Sequence, residues 1–336
     1  MNLQKEIIRV TAEYLEDTLD YLKLSKASEE YKALLNAICE QDLDAKNGRD
    51  DILFENGMAL GTFWAALCLD DLLRTRQFIR GIDKAIKDKI DIQKPLHILY
   101  AGTGPFATLI LPFICKYSKQ EITYTFLEIN PLSFQLLQNT VSKIGLDEHD
   151  ITYVKEDATK YQIDPKNKPD IIISETMQNA LAKEQQVPIF LNLMEQAKDD
   201  SIFIPKKIEL FIGLKKAGIP MEKMQLKDYH KEQKVFEVSR ESMFTPNQKE
   251  RTEGKNTDIS FTKKQIIIDP KKRQEFNQLA ILTEIQVYKD ETILINQSGL
   301  TTPIFIKDIP KNSKETITID TQYQISSVPK LEYQIT

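Results

Sequence analysis

The spacing of apolar residues changes twice along the chain, and each change predicts a different kind of structure. From the start to about residue 92 apolar positions recur at helical intervals, with hardly a strand-like run among them. Within "LDDLLRTRQFIRGIDKAI", Leu69, Leu72, Leu73, Ile79, Ile82 and Ile86 describe one stripe of a helix, and Arg76 and Arg80 fall on it. A core-facing arginine pairs with a protein carboxylate, binds an anion, or snorkels outward, because an unpaired buried charge is costly. Turn chemistry concentrates at "KNGRD" and "FENG".

From 93 to 205 short apolar runs alternate with helical patterns, the texture of an α/β fold with a parallel sheet. "LHILYA", "TYTFLEIN", "ITYVKED" and "PDIIISE" read as four strands, and "SIFIPKKIELFIGL" as a fifth with its continuation. Helices are expected over 105–117 and 185–198. Another lies between the second and third strands, where Phe134, Leu137, Val141 and Ile144 form a stripe that Gly145 caps. From 206 to 336 alternating runs such as "QIIID", "AILTEIQVY" and "TITID" predict an antiparallel sandwich or barrel. "TPNQKERTEGKNTD", residues 245–258, reads as an exposed loop.

Composition narrows the function classes. With 336 residues, 41% of them hydrophobic, the chain is long enough for a large core and for more than one domain. A net charge of -5 supplies no positive field for nucleic acid or anionic lipid. Cys39, Cys68 and Cys115 are widely separated, which fits a reducing compartment such as the cytoplasm rather than a disulfide framework or zinc site. His97, His149 and His230 lie far apart, which speaks against a metal centre. The opening "MNLQKEIIRVTAEYLEDTLDYL" mixes charges through its apolar positions, a pattern of neither a leader nor a membrane span.

Candidate chemistry sits at the ends of the expected parallel strands. In "ILYAGTGPFATLI" a buried strand runs into Gly102, Thr103, Gly104 and Pro105 and then a helix start, a geometry in which backbone approaches a ligand closely. With Ala107 it also satisfies the relaxed dinucleotide fingerprint G-x-G-x-x-A, so a nicotinamide or flavin oxidoreductase stays open. Glu128, at the end of "FLE", suits the two ribose hydroxyls of an adenosine in either class. Asp157, in "VKEDATKY", stands where a methyl-donor site would meet the adenine amino group, or else is an N-cap or turn residue. In "SETMQNALAKE", Glu175 and Glu184 follow a buried strand nine residues apart, as solvated loop residues or as a pair with a task.

In this order the motifs resemble those of the protein arginine methyltransferases, a branch of the class I S-adenosyl-L-methionine (SAM)-dependent methyltransferases. "AGTGP" is similar to the donor-binding glycine loop, in the Gly-x-Gly-Pro form of the symmetric-dimethylating branch; "LEINP" to the ribose-binding strand end; "EDA" to the adenine turn. "SETM" with Glu184 resembles the double-glutamate loop, and "LLRTRQFIRGI" the helix whose arginine grips the donor's carboxylate. The resemblance implies a Rossmann-like SAM-binding domain over 93–205, with an N-terminal helical region whose residues 55–92 cover the donor. It also implies a C-terminal β-barrel-like domain for substrate and dimerisation, and a homodimer. Donor ligands would be Arg74 first and Arg76 second, Gly102, Thr103, Gly104, Pro105, Glu128, Asp157 and Ala158. Glu175 and Glu184 would be catalytic, clamping a cationic nitrogen of a protein or peptide side chain, with S-adenosyl-L-homocysteine (SAH) as the product. A small cationic metabolite is the alternative acceptor; the oxidoreductase and a non-catalytic scaffold are the other readings. Two departures bear on the acceptor: Thr176 and Gln178 replace the family's usual aromatic or glycine, and "NQSGLTTPIF" carries no histidine where relatives have one.

Overall fold

A computed structural model describes residues 2–39, 48–91, 93–244, 252–253, 258–310 and 316–336. The 245–258 stretch therefore lies outside the described residues except at 252–253 and 258.

Helices α1 (Leu3–Thr11) and α2 (Tyr21–Cys39) open the chain and bury Ile7, Val10, Leu24, Tyr31 and Leu35. The region is not purely helical. Strands β1 (Ile52–Phe54) and β2 (Gly57–Ala59) form an antiparallel hairpin whose turn is the "FENG" segment. Three-residue strands are too short to display a period, so only the turn chemistry announced them. After α3 (Thr62–Leu67) comes α4 (Leu72–Lys89), started by Asp71, whose carboxylate accepts from the Arg74 amide. Its apolar stripe buries Phe78, Ile79, Ile82, Ala85 and Ile86. Both stripe arginines find partners inside the chain. Arg76 donates to the carbonyls of Glu16 and Asp17 and to Gln77 Oε1, and Arg80 pairs with Glu291 and Asp17.

The central layer is an all-parallel sheet of β3 (Leu96–Ala101), β4 (Ile122–Leu127), β5 (Ile151–Val154), β6 (Ile171–Ser174) and β7 (Ile202–Ile204), in the order β5-β4-β3-β6-β7. Every residue of β3 and β6 is buried, as expected of strands covered on both faces. Three helices connect these strands: α5 (Leu111–Lys116), α6 (Pro131–Ile144) and α7 (Gln186–Gln196). Helix α6 ends at the expected left-handed Gly145, φ 78°, and starts at an Asn130 N-cap. The helix expected from Pro105 is corrected. Residues after Gly102 form turns, Ala107 has φ 47°, and α5 begins only at Leu111.

From Lys207 onward the strands are antiparallel. One sheet holds β8 (Lys207–Lys215), β9 (Tyr229–Val238), β13 (Gln278–Tyr288), β14 (Glu291–Ile293) and β15 (Ile304–Asp308). The other holds β10 (Thr252–Glu253), β11 (Ile259–Ser260), β12 (Lys264–Ile268), β16 (Ile317–Ile325) and β17 (Lys330–Ile335). Among the described residues these two sheets do not close into a barrel, which corrects the barrel half of the expectation. Phe236 of β9 stacks on Tyr323 of β16 with ring centroids 4.1 Å apart, so the two sheets share a core.

Candidate active site

The strand order reverses at β3, so the carboxyl ends of β3 and β6 part and leave a crevice, the usual ligand site of an open parallel sheet. An open cleft lies there. Its wall includes Arg74, Gly102, Thr103, Gly104, Glu128, Ala158, Glu175 and Glu184.

On the β3 side, Gly102 and Gly104 have φ of 74° and 61°, left-handed values that a side chain resists. A Cβ on Gly102 would also lie 2.4 Å from Thr176 Cγ2. Glu128 accepts from the Gly104 amide through one oxygen and from the Asn130 amide through the other, each at 2.8 Å. The oxygen that serves Gly104 also lies 3.5 Å from Thr103 Oγ1, a long contact that a ribose hydroxyl would displace to reach this carboxylate. Burial pushes its pKa up, opposed by those amides.

Glu175 follows β6 directly and its side chain is 3% exposed. One oxygen pairs with the Arg74 guanidinium, whose side chain is 12% exposed; the other, Oε1, has no hydrogen-bond partner among the described residues. An orphaned buried carboxylate oxygen is costly, and a cationic ligand with several donors would satisfy it. Glu184 is also buried, and burial pushes its pKa up to about 7 against the lowering pull of Arg74, with Asp51 adding to the rise. The loop that separates the two acids is bent by left-handed Ala180, Leu181 and Lys183, at φ 55°, 55° and 67°. It is tied from outside: the Ala180 amide donates to Thr283 Oγ1, Asn179 Nδ2 to the Thr302 carbonyl, Tyr323 Oη to the Leu181 carbonyl and the Lys183 amide to the Pro329 carbonyl.

Three expected ligands lie off this wall. Arg76 is spent on backbone carbonyls, so only Arg74 of the two arginines reaches the cleft. Pro105 is buried outside the wall and starts no helix. Asp157 closes its own turn by accepting from the Thr159 amide at 2.9 Å, whereas its neighbours Glu156 and Ala158 line the cleft. That is the turn-residue alternative. Missed altogether were Met58, Ala59 and Leu60 at the end of the hairpin, Tyr100, and Gln185 beside the second glutamate. The "FENG" turn was the one signal for the first group.

Solved structures that share this fold include protein arginine methyltransferases. A crystal structure of PRMT6 superposes with a TM-score of 0.53 at 10% identity, covering 80% of this chain and 97% of that one. The fold is the protein arginine methyltransferase fold. A second structure, the Trypanosoma brucei PRMT1 enzyme-prozyme heterotetrameric complex with AdoHcy, gives a TM-score of 0.48 at 13% identity, covering 80% and 96%. No protein-family model and no curated protein sequence matches the chain.

Proposed function

We propose that the protein is a SAM-dependent methyltransferase that places a methyl group on a nitrogen of a cationic acceptor, most simply the guanidinium of a protein or peptide arginine. Support for the donor comes from the cradle: left-handed glycines, a buried Glu128 at the end of β4, and a guanidinium in reach of a ligand carboxylate. Gly102, Thr103, Gly104, Glu128 and Ala158 would hold its nucleoside and Arg74 its carboxylate. When bound, SAM supplies a methyl group on a sulfonium sulfur. The dinucleotide alternative loses support, because no helix N-terminus follows the glycine loop to meet a pyrophosphate.

One observation carries the acceptor assignment. A guanidinium, that of Arg74, already sits against Glu175, with a second buried carboxylate, Glu184, in the same cleft. Two carboxylates suit the planar, multi-donor head of an arginine and would repel a carboxylic acceptor. Their role is electrostatic. They orient the acceptor nitrogen and balance positive charge as it moves onto that nitrogen. The nitrogen–methyl bond would form as the donor's sulfur–methyl bond breaks to leave SAH, the nitrogen's proton would pass to Glu184 or to solvent, and no protein nucleophile is needed. The test is transfer of label from methyl-labelled SAM to arginine-containing peptides. Label in the arginine side chain of the product supports the assignment, and label absent from every basic peptide, with SAH bound by the protein, removes it.

A further inference from the structure

The turn of the β1–β2 hairpin joins two parts of the cleft wall that α7 also ties, its Asn192 donating to the Ala158 and Tyr161 carbonyls. Asn56 Oδ1 accepts from Gln185 Nε2 at 2.6 Å, and Asn56 Nδ2 donates to Thr159 Oγ1 at 3.1 Å. Gln185 follows Glu184 and lines the cleft; Thr159 follows Ala158, which lines it too. Backbone bonds reinforce the contact. The Met58 amide donates to the Lys183 carbonyl at 3.0 Å, and Met58 pairs with Glu184 in an isolated parallel bridge. Gly57, at φ 134°, permits the approach: a Cβ there would stand 2.9 Å from the Lys183 oxygen and 3.0 Å from Gln185 Cγ.

Apolar packing holds the hairpin only weakly. Gly57 is the one buried residue of its two strands, and Leu53 is 78% exposed. Its place over the cleft, where Met58 and Ala59 form wall, therefore depends on the polar and backbone ties. We propose that Asn56 is a positioning residue: it latches the hairpin between the turn after β5 and the loop of the second glutamate, and together with the bonds from Asn192 of α7 to the Ala158 and Tyr161 carbonyls it sets the register of the donor's nucleoside end against Glu184. The inference rests on the methyl-donor reading of the cleft. Asn56 is not on the cleft wall and acts through Gln185, Met58 and Thr159.

Four proteins test it: wild type, Asn56→Ala, Thr159→Val and Asn56→Asp. Asn56→Ala removes both side-chain bonds, Thr159→Val removes one, and Asn56→Asp retains an acceptor for Gln185 and can accept from the Thr159 hydroxyl. Asn56→Ala is expected to raise the SAH dissociation constant about tenfold by calorimetry, the scale of one or two lost hydrogen bonds. It is also expected to lower kcat at saturating donor and to speed hydrogen exchange at the Met58 amide. Thr159→Val gives a smaller rise in the SAH constant, and Asn56→Asp restores most of the affinity. The hairpin is peripheral, so thermal midpoints stay within about 4 °C of wild type. If wild type binds SAH and Asn56→Ala matches it in affinity, turnover and Met58 exchange, the latch is overturned and the donor reading stands. If wild type itself does not bind SAH, the donor reading fails and takes the latch with it.

Discussion

Arg74 and Glu175 are each other's counter-charge, though the proposed chemistry assigns them to different ligands. Replacing Glu175 by Gln removes the competitor for Arg74, so SAH should bind as tightly as to wild type or tighter. Turnover should fall at least about a hundredfold, because the lost interaction belongs to the transition state. Calorimetry beside steady-state kinetics separates the two effects; a matching loss of SAH affinity would count against the acceptor role. Glu184 adds a pH dependence. Its carboxyl titrates near 4.5 when unfolded and near 7 when folded. The stability it confers is therefore full below about pH 4.5 and is lost as pH rises through about 7, on the order of 3 kcal/mol in all. Acceptor binding runs the other way, since the clamp needs the anion: kcat/KM for a cationic peptide should drop about tenfold per pH unit below 7. Urea midpoints and kcat/KM measured across that range should both flatten in Glu184→Gln. Which acids reach the cleft wall was legible from strand ends, apart from Asp157; which arginine reaches it was not. Helical spacing favoured Arg76, but Arg76 is satisfied by the carbonyls of Glu16 and Asp17, a long-range fact that no local pattern carries. Asp157 and Glu156 are neighbours beyond a strand end, where alternation no longer fixes which side chain faces the ligand.

At the scale of elements, α4 is the part that brings Arg74 to the cleft, and its first turn depends on Asp71. That carboxylate caps the Arg74 amide and also accepts from Ser298 Oγ at 2.6 Å and the Gly299 amide at 2.8 Å. Asp71→Ala should cost about 1–3 kcal/mol, a lost cap plus the buried Ser298 hydroxyl deprived of its acceptor, seen as a lower urea midpoint at unchanged slope. It should weaken SAH binding as well, because the residue it caps is the proposed carboxylate ligand; a stability loss with unaltered SAH affinity would detach Asp71 from the site. Strands β3, β4 and β6 and helix α6 were readable because each carries a complete local signal: unbroken apolar runs, or a stripe between Asn130-Pro131 and Gly145. The hairpin and the turns from Gly102 to Ile110 were not. Three-residue strands show no period, and nothing in the alanine at 107 announces a φ of 47°.

For the molecule as a whole, the loop proposed as the clamp is a product of two layers. The parallel sheet positions its first acid through β6, while its middle and end are held by the antiparallel sheets, through Thr283, Tyr323 and Pro329. Left-handed alanine, leucine and lysine cost free energy in isolation, so those outer bonds are what keep the loop bent. Tyr323→Phe separates this function from packing. The ring remains stacked on Phe236, and only the bond from its hydroxyl to the Leu181 carbonyl, 2.7 Å long and buried, is lost. The substitution should destabilise the protein by about 1–2 kcal/mol, the cost of one buried hydrogen bond and an unpaired carbonyl. Its larger effect should fall on catalysis: kcat lower by about tenfold or more, since a shift near 1 Å in an acceptor clamp is costly, with SAH affinity unchanged because the proposed donor ligands follow β3, β4 and β5 or lie on α4. Paired measurements of kcat and SAH affinity decide it. Equal losses in both would mean that the antiparallel layer supports the donor site as much as the clamp, and the division of labour between the layers would have to be redrawn.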